Sequence, residues 1–189
     1  MNYKLYQYYS HEHKIRMWNI PKNASTATKA YLKMGTSHYQ PHDSIMENAG
    51  FSHIKRYELF AIVRNPVDRW FSTYRYLALG MMNGIDYGSF VGICQGMLQK
   101  GQTLYDFNNH LVTQCEHISA EVPKYVITMD DLDKAFPGIA VKNSTGQNKE
   151  PLEMPKEIKE YYANDFKMYN YYKHETNWQE LKKYLKLDR

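Results

Sequence analysis

The sequence predicts a single α/β domain over residues 1–189, with a central parallel sheet flanked by helices. Residues 58–63, ELFAIV, form a continuous apolar run that is typical of a parallel strand buried on both faces. Residues 124–129, KYVITM, form a second such run, and residues 14–20, KIRMWNI, alternate toward a third strand. Each run is followed by a segment with helical features, and strands that alternate with helices favour a parallel sheet between helical layers.

The first strand is followed by a turn and then by a predicted helix in residues 26–35, TATKAYLKMG. We expect this helix to end at Gly35, because glycine readily adopts the left-handed conformation of a C-terminal cap. The turn and the helix together give a strand–loop–helix unit, which resembles a P-loop in its layout.

The helix after residues 58–63 has clear signals at its start. Pro66 suits the first helical position, Asn65 suits the N-cap, and Asp68 places a negative charge in the first turn. Apolar residues at helical spacing predict the face that packs on the sheet. This predicted stripe contains Trp70, Tyr74, Leu77, Ala78 and Met81.

The rest of the chain predicts shorter helices and a less regular middle in residues 80–109. We predict short helices in residues 45–50, with Asp43 or Ser44 as the N-cap, in residues 87–98 and in residues 130–139. From Pro155 onward the pattern predicts helix, with an interruption near residue 175.

The composition is that of a globular protein with a mild positive charge. Lys and Arg number 24 and Asp and Glu number 20, so the net charge is +4, which favours anionic ligands without indicating a nucleic-acid binder. Cys94 and Cys115 lack the spacing of a metal site, and we expect both to stay reduced. Because we find neither a signal-peptide pattern nor an apolar run of membrane-spanning length, we expect a cytoplasmic protein without membrane or nucleic-acid partners.

The loop after the first strand has the features of an anion site. In the stretch WNIPKNASTATKAYLK, Lys22 and small polar residues lie between a strand and a helix. Such a corner directs free backbone N–H groups and a positive helix end toward one point, which suits phosphate or a group of similar shape. The order differs from a Walker A motif, which places its lysine at the helix start after glycines.

A second loop adds another phosphate-binding signal. Arg64 follows the strand of residues 58–63, and Ser72 lies about two helical turns further on. Ligands of open α/β sheets bind beyond the carboxyl ends of the strands, where both loops are expected. Together the two loops predict a ligand with phosphates at both ends.

These two loops resemble the signature motifs of the P-loop-type sulfotransferases. PKNASTAT resembles the loop that binds the 5′-phosphosulfate, and VRNPVDRWFSTY is similar to the motif that binds the 3′-phosphate. The spacing of the loops is typical of the shorter, carbohydrate-type members. Near the C-terminus, Tyr162 and Asp165 match the core of the closing helix of the family, and VKNSTGQNK is similar to the loop before it.

The resemblance implies the donor 3′-phosphoadenosine 5′-phosphosulfate (PAPS), the product adenosine 3′,5′-bisphosphate (PAP) and no metal. It assigns the 5′ end of the nucleotide to residues of the first loop and the 3′-phosphate to Arg64 and Ser72. The cofactor-binding residues of the first loop are predicted to be Lys22, Asn23, Ala24, Ser25, Thr26 and Ala27. Ala27 departs from the family pattern, because many members have a hydroxyl residue there, and the role of Thr28 is left open.

Two residues are predicted to be catalytic. Lys22 is placed to stabilise the charge that develops on the leaving oxygen. His42 is the favoured general base for the acceptor hydroxyl, because it lies between the two loops and many relatives have a histidine in this segment. His53, then His110, are the next candidates, and Glu47 is a further one because some relatives use glutamate.

The acceptor and two other functions stay open at this level. The acceptor is expected to be a glycan or a small hydroxyl compound, bound by residues 34–56 and 80–115. Candidate lining residues are Tyr74, Tyr76, Tyr105 and His110. A small ATP-dependent kinase would use the same corner, although no acidic residue is clearly placed for Mg²⁺. A non-catalytic module that binds nucleotide or RNA would use the positive charge and the 18 tyrosines, but would leave the second loop unexplained.

Overall fold

The computed structural model describes residues 5–39, 54–140 and 152–187. Within these residues one five-stranded sheet forms the centre of the protein. Its strands are β1 (Leu5–Ser10), β2 (Ile15–Trp18), β3 (Gly35–Tyr39), β4 (Glu58–Val63) and β5 (Tyr125–Thr128). Their spatial order is β3-β1-β2-β4-β5.

The sheet is mostly parallel in the sense that four of its five strands point in the same direction, and β1 points in the opposite one. β2 pairs in parallel with β4, and β4 pairs in parallel with β5. β1 pairs antiparallel with both β2 and β3, so β3 has the same direction as β2. The predicted α/β class and the three predicted strands are confirmed, whereas the antiparallel β1 and the edge strand β3 are additions to the predicted parallel sheet.

Helices cover both faces of the sheet. They are α1 (Ser25–Tyr31), α2 (Pro66–Gly80), α3 (Tyr87–Gln99), α4 (Gln114–Ala120), α5 (Leu132–Ala135), α6 (Lys156–Tyr161), α7 (Ala163–His174) and α8 (Trp178–Tyr184). Short 3₁₀ turns lie at Ile54–Arg56, Leu104–Asp106, Asn109–Leu111 and Met129–Asp131. The expected break near residue 175 separates α7 from α8, and a second break at Tyr162 separates α6 from α7.

The strands divide their side chains between two core clusters, as the two-residue period of a strand requires. On one face Phe60 and Ile62 of β4 pack with residues from α1, α5 and α8. On the other face Leu59, Ala61 and Val63 pack with residues from α4 and α7. A third cluster joins α2, α3 and α6 around Trp70 and Phe90.

The end of α1 differs from the prediction. The left-handed residue is Lys33, with φ 49°, and not Gly35. The N–H groups of Lys33 and Met34 donate to the carbonyls of Ala30 and Lys29 at 3.2 and 2.9 Å, which is the pattern of a Schellman motif. Gly35 instead begins β3, where an added Cβ would lie 2.9 Å from Cζ of Tyr9. A larger residue here would require the Tyr9 ring to shift, so Gly35 allows close packing in the sheet and does not serve as the cap.

The start of α2 confirms the sequence signals. The Asn65 side chain accepts a hydrogen bond from the N–H of Val67 at 2.9 Å, and Pro66 and Asp68 lie in the first turn. Of the predicted apolar stripe, Trp70, Leu77 and Ala78 are buried and Tyr74 is half-buried. Met81 is 62% exposed and lies at the C-cap, just after the helix ends at Gly80.

Two predicted segments lie outside the described residues. They are the short helix of residues 45–50 with its candidate caps Asp43 and Ser44, and the loop of residues 141–149. The helices of residues 87–98 and 130–139 are confirmed in α3 and, in shorter form, in α5. None of the helices in the described ranges is both long enough and apolar enough to cross a membrane.

Candidate functional site

The two predicted loops meet at the carboxyl edge of the sheet. Parallel strands end at the same edge, so the loop after β2 and the loop after β4 lie side by side. The Arg64 guanidinium of the second loop donates a hydrogen bond from Nη1 to the carbonyl oxygen of Lys22 at 3.0 Å. The structure therefore brings Lys22 and Arg64 to one place, although they are 42 residues apart in the sequence.

The first loop has an unusual backbone. Lys22 and Ala24 both adopt left-handed conformations, with φ 69° and 55°. Such conformations are uncommon for residues other than glycine and cost free energy. The left-handed Ala24 is followed directly by the helical Ser25, and this succession turns neighbouring N–H groups toward one concave point. Ala24 has no side chain to cap these groups, so they stay available to an anion.

The hydroxyl residues of this loop have different environments. The side chain of Thr26 is exposed, whereas Ser25 is buried at the first position of α1. Ala27 packs against the core and brings no polar atom to the loop. Thr28 is fully buried, and its Oγ1 has no hydrogen-bond partner among the described residues. Thr26 is thus the hydroxyl of this loop that faces solvent.

The side chain of Asn23 holds the loop from inside. It is only 1% exposed, and its Nδ2 donates to the carbonyl of Ile62 at 2.7 Å and to Oε1 of Gln114 at 2.6 Å. The Nδ2 group is used by these partners, and the buried Oδ1 has no hydrogen-bond partner among the described residues. Because the side chain is buried, the backbone of Asn23 is the part that remains for a ligand. The predicted cofactor contact of Asn23 is accordingly restricted to its main chain.

Gln114 joins the two loops, and sequence reasoning missed it. This fully buried side chain accepts a hydrogen bond from the N–H of Arg64 at 2.8 Å and donates to the carbonyl of Arg64 at 2.9 Å. The same Oε1 accepts from Asn23, so one amide fixes the spacing of both loops. The sequence signal nearest to Gln114 is the Thr113–Glu116 capping box, which predicts the start of α4 but not the role of Gln114.

Asp165 and Tyr162, the two residues of the C-terminal motif, make hydrogen bonds to the chain segment that contains Gln114. The buried carboxylate of Asp165 accepts hydrogen bonds from the N–H groups of Gln114 and Cys115 at 2.8 and 2.9 Å. The hydroxyl of Tyr162 donates to the carbonyl of Leu111 at 2.6 Å. These contacts hold the start of α4 against α6 and α7. Tyr162 and Asp165, which the sequence analysis singled out, therefore lie outside the site and hold in place the segment that carries Gln114.

Arg69 is a buried cation within the second motif. It is 2% exposed, and it donates from Nε to the carbonyl of Pro21 at 3.2 Å and from Nη2 to the carbonyl of His110 at 3.1 Å. Because carbonyl oxygens are neutral acceptors, these hydrogen bonds satisfy the Arg69 guanidinium without neutralising its positive charge. Arg69 ties the first loop to the segment before α4 and adds positive potential to the site.

Ser72 and Tyr74 lie further along α2 and differ in their surroundings. Ser72 is half-buried, and its hydroxyl has no hydrogen bond to another described residue. Tyr74 packs with Tyr87 and Phe90, and its hydroxyl donates to the carbonyl of Ile85 at 3.3 Å. Tyr74 is therefore a packing residue, although the sequence had made it a candidate for the acceptor pocket.

Lys22 and Arg64 form an electropositive pair. Burial and then the neighbouring Arg64 lower the pKa of Lys22, while burial lowers the pKa of Arg64 despite the opposing effect of Asp68. In the described part of the chain neither has a carboxylate within ion-pair distance. The Lys22 ammonium lies 4.6 Å from the centre of the Tyr76 ring, a cation–π contact that does not neutralise it. An anion bound between the two cations would relieve this repulsion.

His110 lies beside this pair and is neutral. Its ring stacks on Tyr76 with centroids 4.6 Å apart, and burial followed by the charges of Lys22 and Arg69 lowers its pKa to about 4. The Asn108 Oδ1 accepts the backbone N–H of His110 at 2.9 Å, so that atom is an oxygen. The same oxygen lies 2.8 Å from Nδ1 of His110. Because an amide oxygen only accepts hydrogen bonds, Nδ1 is the donor and carries the proton. The lone pair of the imidazole is left on Nε2.

The other base candidates, His42, His53 and Glu47, lie outside the described residues. β3 ends at Tyr39, three residues before His42, and its antiparallel pairing with β1 places Tyr39 at the same edge as the end of β2. Among the residues that the structure describes, no group of three or more His, Cys, Asp and Glu is arranged to hold a metal ion. The site as described consists of cations, backbone N–H groups and hydroxyls, a combination that suits anionic oxygens.

Comparison with known proteins agrees with this arrangement. The sequence model of the Sulfotransferase family matches residues 7–136, a segment that covers well over half of the chain and includes both loops. No curated protein and no solved structure matches the chain. With a family match of this extent, and with the two matching loops side by side at the carboxyl edge of the sheet, the chain belongs to the sulfotransferase family.

Proposed function

We propose that this protein transfers a sulfuryl group from PAPS to an acceptor hydroxyl. The observation that carries the proposal is the convergence of Lys22 and Arg64, which lie on different loops, touch through the Lys22 carbonyl and have no carboxylate partner in the described residues. A nucleotide with a phosphosulfate at one end and a phosphate at the other supplies anionic groups to both loops. Family membership supports sulfuryl transfer in general, and the donor is our inference.

The residues of the site fit such a donor. Lys22, the turned N–H groups after Ala24 and the exposed Thr26 hydroxyl would hold the 5′ end. One N–H of the Arg64 guanidinium donates to the Lys22 carbonyl. The other N–H groups of this planar guanidinium would donate to the 3′-phosphate. Ser72 would complete that phosphate site from α2, because its hydroxyl has no partner among the described residues.

The proposed reaction requires charge stabilisation and alignment. The acceptor oxygen forms a bond to sulfur while the bond between sulfur and the 5′-phosphate oxygen breaks, and the products are a sulfated acceptor and PAP. Lys22 stabilises the negative charge that develops on the departing oxygen, and the loop N–H groups stabilise the other oxygens. Because the loop backbone is fixed by Asn23 and Gln114, little reorganisation is needed at the moment of transfer.

The proton of the acceptor hydroxyl needs a base, and we propose His42 for this role. His110 is the second candidate, and the lone pair on its Nε2 beside Lys22 favours it. In the free protein its pKa of about 4 makes it a weak base. Binding of an anionic nucleotide at Lys22 would offset one cause of this low pKa and make His110 a stronger base.

The proposal is tested by ligand-induced thermal shifts followed by a transfer assay. A ligand that binds the folded state raises Tm, and we expect a rise with PAP that exceeds the rise with ATP plus Mg²⁺ or with an oligonucleotide. Transfer of label from ³⁵S-PAPS to a panel of glycans and phenols then measures the activity. A double variant, Lys22→Ala with Arg64→Ala, should lose both responses. A preference for ATP plus Mg²⁺ would support the kinase alternative, and a preference for the oligonucleotide would support a binding module.

A further inference from the structure

The ammonium of Lys22 has an aromatic neighbour on α2. Its Nζ lies 4.6 Å from the centre of the Tyr76 ring. In the part of the chain that the structure describes, no carboxylate lies within ion-pair distance of this ammonium. Burial and then Arg64 lower the pKa of Lys22, so these surroundings disfavour the charged form. The negative face of the Tyr76 ring attracts the cation and acts against both effects.

The Tyr76 ring is held in place by His110. The two rings stack with centroids 4.6 Å apart and an interplanar angle of 31°. His110 is itself fixed against α2, because its carbonyl accepts hydrogen bonds from Arg69 Nη2 at 3.1 Å and from Thr73 Oγ1 at 3.4 Å. Its Nδ1 donates to Asn108 Oδ1 at 2.8 Å. Although Tyr76 is 45% exposed, its orientation is therefore set by a residue that is held on several sides.

The spacing along α2 explains why this helix reaches the first loop. Arg69, Thr73 and Tyr76 follow one another at intervals of four and three residues, so they lie on one face of the helix. Arg69 donates to the carbonyl of Pro21 at 3.2 Å, and Tyr76 contacts the ammonium of Lys22, the next residue in the chain. One helix face thus holds both the backbone of the loop and its lysine side chain.

A lysine that acts on a leaving oxygen needs a defined position. Its four-carbon stem is flexible, and the nearby charge of Arg64, which donates to the Lys22 carbonyl, repels the ammonium. Without an attractive neighbour, Nζ would move toward bulk solvent. A carboxylate in this place would compete with an anionic donor for the lysine. An aromatic face attracts the ammonium and leaves its charge available to the donor.

We propose that Tyr76 is a positioning residue for Lys22 in sulfuryl transfer, and that its ring face holds the ammonium beside the first loop. The proposal rests on the proposed function, because it takes Lys22 to stabilise the charge on the departing oxygen. In this role Tyr76 acts through Lys22, and its hydroxyl is not needed. A phenylalanine ring should serve equally well, since its face also attracts cations.

The first measurement is made on the free protein and needs no donor. Lysines labelled with ¹³C at the ε position give separate NMR signals, and the signal that Lys22→Ala removes is that of Lys22. Protons above an aromatic face are shifted upfield by the ring current. We expect an upfield Lys22 signal in the wild type and in Tyr76→Phe, and loss of the upfield shift in Tyr76→Leu. A wild-type Lys22 signal at the position of exposed lysines would overturn the proposal.

The second measurement separates catalysis from donor binding. We expect Tyr76→Leu to lower kcat with labelled PAPS about fivefold, which corresponds to one cation–π contact, and Tyr76→Phe to stay within about twofold of the wild type. The Kd of PAP should change by less than about twofold in both, because Arg64 and the loop backbone still bind the nucleotide. Tyr171→Leu, which removes an exposed tyrosine from α7, is the matched control and should behave like the wild type. Equal kcat values for Tyr76→Leu and Tyr76→Phe would overturn the proposal.

A double variant tests whether Tyr76 acts through Lys22. In the Lys22→Ala background, Tyr76→Leu should lower the residual turnover by less than about twofold, because its partner is already absent. A further loss of about fivefold would overturn the proposal, since the effect would then be independent of the lysine. Because Tyr76 is exposed, we expect its variants to fold with a Tm close to that of the wild type. If one of them does not fold, the wild-type Lys22 signal still decides whether the contact exists.

Failure of the proposed function would give a different result. In that case PAP would cause no thermal shift and the wild type would transfer no label, which would overturn the positioning role together with the reaction. A wild type that transfers label while its Lys22 signal is not shifted upfield would overturn the positioning role alone.

Discussion

Arg64 Nη1 lies 3.0 Å from the carbonyl oxygen of Lys22, so the cation of one loop is attached to the backbone of the other. The contact fixes two positive side chains near each other, and Arg64 contributes to the lowered pKa of Lys22. Holding like charges together costs free energy unless an anion is bound between them. An anionic ligand would therefore stabilise the arrangement, and we expect removal of either charge to have a distinct effect.

Lys22→Ala and Arg64→Ala should separate catalysis from donor binding. We expect Lys22→Ala to lower kcat about 100-fold or more, because it removes the charge next to the leaving oxygen, with a smaller change in PAP affinity. Arg64→Ala should raise the Kd of PAP at least tenfold with a smaller effect on kcat. Arg56→Ala, which removes an exposed positive charge just before the start of β4, at the other end of that strand from Arg64, is the control, and calorimetry with PAP gives the affinities. Equal effects of the first two changes on the Kd of PAP would contradict this division of roles.

Replacement of the two candidate bases should distinguish them. We expect His42→Ala to lower turnover about 100-fold or more while PAP binding persists, in the range of a lost general base. His110→Ala should lower turnover less than tenfold, because its pKa of about 4 makes it a weak base in the free protein. Steady-state kinetics with saturating donor compares the two variants. The reverse order of effects would assign the base to His110.

Gln114 should be necessary for both stability and donor binding. Gln114→Leu leaves the N–H and carbonyl of Arg64 and the amide of Asn23 without their shared partner. The expected loss in the free energy of unfolding is about 2–4 kcal/mol, which lowers Tm by about 5–15 °C in a chain of this size. PAP should also bind more weakly, because the spacing of the loops is no longer fixed. Gln99→Leu, at an exposed position of α3, is the control; a variant of Gln114 as stable as this control would show that the linkage is not needed.

His117 should make the protein sensitive to mild acid. Its pKa is about 3 in the folded state and about 6.5 when unfolded, so between these values only the unfolded chain binds the proton. Stability therefore falls as pH decreases below about 6.5, and the contribution of this one ring between pH 7 and pH 5 is a loss of about 2 kcal/mol. Thermal melts of the wild type and of His117→Leu should show a decrease in Tm that is about 5 °C larger in the wild type. Parallel decreases would mean that the ring is already protonated or paired.

The strands that the sequence predicted best are those buried on both faces. β4 and β5 lie within one or two residues of their predicted bounds, because continuous apolar runs leave little choice of environment. β1 and β3 were not predicted, since LYQYYS and GTSHY are mostly polar and their pairing depends on partners elsewhere in the chain. Their conformation follows from tertiary pairing more than from local preference.

The residues of the site also divide into those that the sequence predicts and those whose roles depend on tertiary contacts. Lys22 and Arg64 could be predicted because each lies in the loop that follows a strand, and parallel strands bring their carboxyl ends together. Gln114 could not be predicted, and Asp165 was found only through the family resemblance and without its role, because both roles depend on contacts with residues about 50 positions away. His117 had no sequence signal either, since only the structure shows that its ring is buried without a partner.

The position of β1 between β2 and β3 has a consequence for any shortened form of this protein. β1 supplies hydrogen bonds along both of its edges, to β2 on one side and to β3 on the other. Deleting residues 1–10 would detach β3 from the rest of the sheet and expose the unpaired edge of β2, which invites association with other chains. An affinity tag at the N-terminus should be joined through a flexible linker, since the first strand of the chain is an interior member of the sheet.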